Sequence, residues 1–327
     1  FSPTPDHSIR LTYNQAFQVP NYSEFFLQAA AGAPANFSLL EAGLRASPLG
    51  PALAGVPVGE LFAGATGGSS SAVPVLALGN AGLDVETVKG WEIGYKGNIT
   101  DRAYVTVDLF QSKIDNFVTD LLPGVNPTYG AWTAPAAVPD QFKPALEQAV
   151  RDQLLAAGQL RGALGLTRLQ NDATAIVVSY TNAGSVKQRG VELGFGIQLI
   201  DELRFDGSYT FFDTNFFKDN IKGLAAGDVL QPNTPKHKAN LALAYSGLQG
   251  IDAELAVRMI DGYAWAAGIF QGYVPASETV NLSAGYRINN NFRIQAAVTN
   301  LFDQERYHLY GGSVIGRRIL GGMTAYF

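Results

Sequence analysis

Apolar and polar positions alternate along most of this chain. In the last eleven residues, Ile319, Met323, Ala325 and Phe327 share one face, while Arg318, Gly322, Thr324 and Tyr326 fall largely on the other. A period of two marks a strand whose two faces meet different surroundings. The pattern recurs in 8–17, with Ile9, Leu11, Tyr13 and Phe17 against Arg10, Thr12 and Asn14. It recurs in 90–99, where Trp91, Ile93 and Tyr95 oppose Glu92, Lys96 and Asn98, and in 103–118, where Val105, Val107 and Leu109 oppose Thr106, Asp108 and Ser112. Further alternating segments cover 203–217, 236–246, 251–265, 279–288 and 292–307.

One segment breaks the rule. In 176–199 the apolar set changes from Ile176, Val178 and Tyr180 to Val191, Leu193, Phe195 and Ile197. A continuous strand cannot change parity, so a bulge near Asn182-Ala183-Gly184 is predicted. With it, the reading gives ten strands. Tight turns at Thr100-Asp101-Arg102, Asp201-Glu202, Leu248-Gln249-Gly250 and Asn289-Asn290-Asn291 join them at one end. Long connections, about 18–89, 119–175 and 218–235, lie at the other. In the first, 37–44 predicts a short helix. In the second, 139–166 predicts an amphipathic helix packed on its own loop, with Phe142, Leu146, Val150 and Leu154 at four-residue spacing.

Short turns on one rim and long loops on the other fit an outer-membrane barrel, whereas a soluble sandwich has no reason to segregate its loops. The aromatics agree: Phe205, Tyr286, Phe292, Tyr326 and Phe327 lie near the short turns, and Trp91, Phe211, Phe216, Tyr263 and Trp265 near the long loops. Two such girdles are what lipid interfaces select. Composition narrows the reading further. The 327 residues include no Cys, which removes disulfides, thiolate catalysis and Cys-ligated metal. A net charge of −5 and the lack of a basic run argue against nucleic acid as a partner. No apolar stretch is long enough for a membrane helix, so insertion goes through strands. The chain opens on Phe1-Ser2-Pro3 without a signal peptide and reads as a piece of a longer product.

Four motifs then carry a resemblance. The stretches 11–24 (LTYNQAFQVPNYSE), 85–97 (VETVKGWEIGYKG), 180–184 with 190–193 (YTNAG and GVEL) and 299–303 (TNLFD) are similar to the strand-to-loop signatures of TonB-dependent outer-membrane receptors. The resemblance spans essentially the whole chain. It implies an all-β transmembrane antiparallel β-barrel, of which residues 1–327 are about ten strands from the C-terminal part of a twenty-two-stranded barrel. It also implies an upstream plug domain, to which nothing before Ser8 is similar. The implied function is capture of a scarce ligand by outer loops and TonB-coupled uptake across the outer membrane of a Gram-negative cell. The implied partners are outer-membrane lipid, the barrel assembly machinery, TonB, a plug domain and an unidentified extracellular ligand. The competing reading is a passive porin-like or adhesive structural barrel.

Candidate chemistry is sparse. His7, His237 and His308 show no metal-ligand spacing, no nucleophile–base motif is present, and neither a cofactor nor an enzymatic activity is expected. Arg10, Glu92, Lys96, Asp108, Glu192, Asp206, Glu254, Arg258 and Arg293 fall on the polar parity and are expected to line the lumen. Met323, Ala325 and Phe327 resemble the C-terminal assembly signal of outer-membrane barrels. For ligand binding the candidates are Asn21, Tyr22, Tyr129, Trp132, Tyr263 and Trp265, aromatics and amides suited to flat faces. The two longest loops hold more Asp and Glu than Lys and Arg, so a neutral or cationic ligand is expected there rather than an anionic siderophore.

Overall fold

The computed structural model describes the chain apart from residues 64–67, 125, 127, 157–164, 222–229, 248–249, 268–269 and 327. In chain order, β1 (His7–Gln18) is followed by α1 (Tyr22–Phe26), β2 (Gln28–Ala30), α2 (Ser38–Arg45) and β3 (Val75–Leu78). Next come β4 (Glu86–Thr100), β5 (Ala103–Asp115), β6 (Leu122–Pro123), β7 (Gly130–Ala131), α3 (Lys143–Ala156), β8 (Leu166–Arg168) and β9 (Thr174–Ser179). The remainder is β10 (Ser185–Ile200), β11 (Leu203–Phe212), α4 (Thr214–Asp219), β12 (His237–Ser246), β13 (Ile251–Ile260), β14 (Tyr263–Ala267), β15 (Phe270–Val274), β16 (Ser277–Arg287), β17 (Phe292–Thr299) and β18 (Arg318–Ala325).

Ten of these strands form one antiparallel sheet in the order β1-β4-β5-β10-β11-β12-β13-β16-β17-β18. The pairing register carries each apolar set from strand to strand. Leu11 lies opposite Ile93, then Leu109, Val191 and Phe211. Farther along, Phe205 lies opposite Leu243, Leu255, Leu282, Val298 and Ile319. This face is bare: Leu11 and Ile319 are each 71% exposed and Met323 is 70% exposed. An apolar face of such extent is a poor surface for water and a good one for lipid chains. No helix among the described residues is long and apolar enough to cross a membrane.

Tight connections join β4 to β5, β10 to β11, β12 to β13 and β16 to β17, and every long connection leaves from the opposite end. The two longest are not separate loops. They fold together into a cap around a second sheet, β2-β3-β9-β8-β7, with β6 on β9. Phe37, Leu44, Leu53 and Phe62 from the first loop share one core with Trp132, Leu146, Val150 and Leu154 from the second. Burial of those side chains is the main force holding the cap.

The structure corrects several expectations. Residues 176–199 are not one bulged strand. Thr174–Ser179 is a fully buried strand of the cap, paired in parallel with β3, and Ser185–Ile200 belongs to the large sheet. The parity change is therefore a change of sheet, with Gly184 at φ 54 in the crossing. The helix predicted over 139–166 is a 3-10 turn at Asp140–Phe142 followed by Lys143–Ala156, and Leu166 is already in β8. It packs on its own loop, through Trp132, Val138 and Leu166, and against α2 of the other loop as well. The predicted turn at 248–250 lies partly outside the described residues. Residues 251–265 and 203–217 are also shorter strands than predicted, because the chain leaves the sheet at Ile260 for the separate hairpin β14–β15 and at Phe212 for α4.

Candidate functional site: a charged sheet face under a two-loop cap

Register places Arg10, Glu92, Lys96, Asp108, Glu192, Asp206, Glu254, Arg258 and Arg293 on one face of the large sheet, opposite the bare apolar one. Neighbouring strands neutralise much of this charge. Arg10 Nη2 pairs with Glu92 and, at 2.9 Å, with Asp108 two strands away. Gly94 of the intervening strand makes that reach possible, since a Cβ there would collide with both Arg10 and Asp108. Asp252 and Arg293 meet at 2.6 Å across Gly285 in the same manner.

The motifs at the long-loop end are backbone fasteners. Asn21 caps α1: its Oδ1 accepts from the Glu24 amide at 3.0 Å, while Glu24 accepts from the Asn21 amide at 2.7 Å, a reciprocal capping box. Asn182 donates to the carbonyls of Asp84 and Asn116 and accepts from the Asp84 amide, tying both long loops at the roots of β4, β5 and β10. Asn300 is 2% exposed and adopts φ 57, a left-handed conformation that Asn tolerates better than most residues. Its side chain holds both the amide and the carbonyl of Gln304.

Within the cap, Glu41 is 2% exposed. Its carboxylate receives Arg45 Nε at 2.8 Å, the Gly59 amide at 2.9 Å, the Leu61 amide at 3.3 Å and the Ser70 hydroxyl. Burial pushes this carboxyl up, but the hydrogen bonds from Ser70, Arg45, Gly59 and Leu61 outweigh it and hold the group below the ordinary value. Arg45 in turn donates to the carbonyls of Leu53, Val56 and Pro57. This one ion pair therefore shapes residues 53–61.

The six aromatic and amide candidates fall in three places. Tyr22 is 80% exposed beside Phe26, and Asn21 is engaged in the helix cap. Tyr129 is half-buried against Leu78 and Val177. Trp132, by contrast, is 4% exposed and packs on Phe62 at 5.3 Å, so its ring is cap core and has no face left for a ligand. Tyr263 and Trp265 sit on the β14–β15 hairpin. Tyr263 donates to the His308 carbonyl at 3.0 Å, and Trp265 stands 6.0 Å from Tyr310. The hairpin is thereby bound to the last long loop, and Asn233 joins a third loop to it through both backbone groups of Ala266. Met323 and Ala325 share the apolar face of β18, while Phe327 lies outside the described residues.

A cationic group near this hairpin gave no signal in the sequence. Arg306 buries two guanidinium nitrogens, Nε and Nη1, with no hydrogen-bond partner among the described residues. Burial lowers its proton affinity, and Arg258 lowers it further. His308 is kept toward its neutral form by burial and then by Arg306 and Arg258. Among the described residues no cluster of His and carboxylates could hold a metal.

With this geometry established, relatives become informative. A family model described as TonB dependent receptor-like, beta-barrel, matches residues 1–301. The chain belongs to that family. Its members are transport receptors of the outer membrane, and the ten-stranded sheet is barrel wall. The metal-pseudopaline receptor CntO of Pseudomonas aeruginosa is 34% identical over 129 residues, covering 38% of this chain and 18% of the receptor. Among solved structures, the ferric enterobactin receptor PfeA of P. aeruginosa superposes with a TM-score of 0.61 at 16% identity, over 100% of this chain and 39% of that one. The siderophore receptor PirA of Acinetobacter baumannii gives 0.59 at 13% identity, over 100% and 40%. The ferric-catecholate import receptor Fiu of Escherichia coli gives 0.54 at 16%, over 100% and 34%. These likenesses show the fold, and the chain spans less than half the length of each receptor.

Proposed function

We propose that this receptor takes up an anionic metal chelate across the outer membrane, using energy delivered by TonB through a plug domain that fills the barrel. The observation that carries the reading is the cap. Two loops about as long as a small domain fold as one body at the long-loop end, where an external ligand arrives. A porin-like or adhesive barrel has no need of a cap that gathers the roots of three wall strands through Asn182. The metal chelate is supported by the name of the curated relative CntO. The role is transport, not catalysis. Lipid surrounds the bare apolar face, and the barrel assembly machinery reads the C-terminal strand with Met323, Ala325 and Phe327.

The charge of the chelate departs from the neutral or cationic ligand expected from loop composition. Five of the loop acids have partners: Glu24 the Asn21 amide, Glu41 Arg45, Asp140 Lys143, Glu147 the Ala134 amide and Asp172 Arg168. Paired carboxylates project little field toward an arriving ligand. Arg306, with Arg258 near it, instead has two buried donors without a partner among the described residues, and the aromatic hairpin beside it offers flat faces. The test is equilibrium binding of ferric enterobactin, a trianionic chelate, to the purified complete receptor. The reading expects salt-sensitive binding that Arg306→Gln weakens by roughly tenfold or more, the worth of a charge-assisted hydrogen bond. Binding of neutral oligosaccharide in preference, with Arg306→Gln unchanged, would return the ligand to the neutral class.

A further inference from the structure

The outward, apolar face of the wall carries a row of charge that ligand transport does not use. Lys89 lies directly opposite Lys113, and Lys113 directly opposite Lys187, so three adjacent strands place three lysines side by side. Their parity is that of Trp91, Leu109 and Val191, the lipid-facing set, and not that of Val186, which is fully buried on the opposite face. Side chains directly opposite one another stand about 5 Å apart at Cβ, and like charges so placed destabilise a sheet. Lys113 is relieved by Asp115, whereas Lys89 and Lys187 have no ion pair among the described residues. Arg189, one residue pair toward the membrane, bonds Asp213 and covers the Phe216 ring at 4.2 Å. The four cations Lys89, Lys113, Lys187 and Arg189 outnumber the carboxylates Asp115 and Asp213 by two.

The height of this row is informative. Lys89 stands two residues, about 7 Å along the strand, beyond Trp91 of the outer aromatic girdle. That is where lipid headgroups begin. Immediately below, the same three strands and their neighbours leave an open groove of about 380 Å³ walled by Leu11, Trp91, Ile93, Leu109, Val191 and Phe211. A cationic row over an apolar groove is complementary to one kind of molecule, an amphiphile with phosphate at its head and acyl chains beneath.

We propose that Lys89, Lys113 and Lys187, with Arg189, form a binding site for the phosphate of an acylated outer-leaflet lipid whose chain lies in the Leu11–Trp91–Phe211 groove. Two neighbouring ammonium groups bridge the phosphate oxygens, which removes the repulsion within the row. The bound lipid then becomes a fixed part of the wall beneath the cap, on the opposite side of β4, β5 and β10 from the ligand path.

Native mass spectrometry of the complete receptor in detergent tests this, titrating lipid A, its dephosphorylated form and inorganic phosphate. The expected result is phosphorylated lipid bound at least tenfold tighter than the dephosphorylated form. A Lys89→Gln, Lys113→Gln, Lys187→Gln triple variant should lose most of that preference, at about fivefold per lysine. Lys238→Gln, which removes one lysine charge from the inner face, should leave it intact. Equal affinity for both lipids, or a triple variant that keeps the preference, would overturn the proposal. So would inorganic phosphate binding as tightly as the lipid, which would mark an adventitious ion only. Folding of the variant is read separately from the heat-modifiable migration of the barrel.

Discussion

Glu41 is the residue on which the cap turns, because its carboxylate satisfies two amides, a hydroxyl and a guanidinium in a nearly dry setting. Glu41→Ala strands Arg45 and the Gly59 and Leu61 amides, and removing one partner of such a pair costs about 3 kcal/mol. Limited proteolysis should then cut the cap at residues 53–61 while the wall strands stay protected. The folded carboxyl lies below its ordinary value of 4.5, so its contribution is complete above the unfolded-state value and fades as pH falls through the folded one. Acid sensitivity of the cap below about pH 4.5 should therefore be present in the native protein and absent in Glu41→Gln. At this scale the sequence was only partly legible. Asn21 and Tyr22 stood out as loop residues, but Trp132 looked equally available until its burial against Phe62 was seen. Nothing in the sequence separates Arg306 from any other arginine, since its isolation depends on what surrounds it in three dimensions.

Elements were more legible, for a physical reason. Wall strands meet lipid on one face and a polar interior on the other, so their alternation is written into the sequence and all ten were readable from it. Thr174–Ser179 is buried on both faces and has no alternation to read. Its apolar run looked like a continuation of β10. The two long loops likewise gave no sign of sharing a core, because the contacts join residues far apart in the chain. Leu146→Ala in α3 removes a fully buried side chain and should cost about 2–5 kcal/mol. If the cap is one cooperative unit, hydrogen exchange should speed up in Ser38–Arg45 as well as in Lys143–Ala156. Acceleration confined to the second loop would show two independent loops. For the wall, Leu241→Arg or Leu255→Arg on the apolar face should cost about 2–4 kcal/mol in bilayer refolding. Arg at Ala242 or Ala256, paired with each other on the polar face, should cost much less. Equal losses would contradict the assignment of faces.

At the scale of the whole molecule, a barrel wall carries a cap built from two loops, with the β14–β15 hairpin fastened to the loops beside it. What such a structure does depends on whether passage through it is driven. Iron accumulation from ferric enterobactin by cells expressing the complete coding sequence, with and without a protonophore, measures this most directly. The account predicts that surface binding survives the protonophore while accumulation stops, because TonB draws on the proton gradient of the inner membrane. Accumulation that continues unchanged in de-energised cells would contradict it and make the barrel a passive pore.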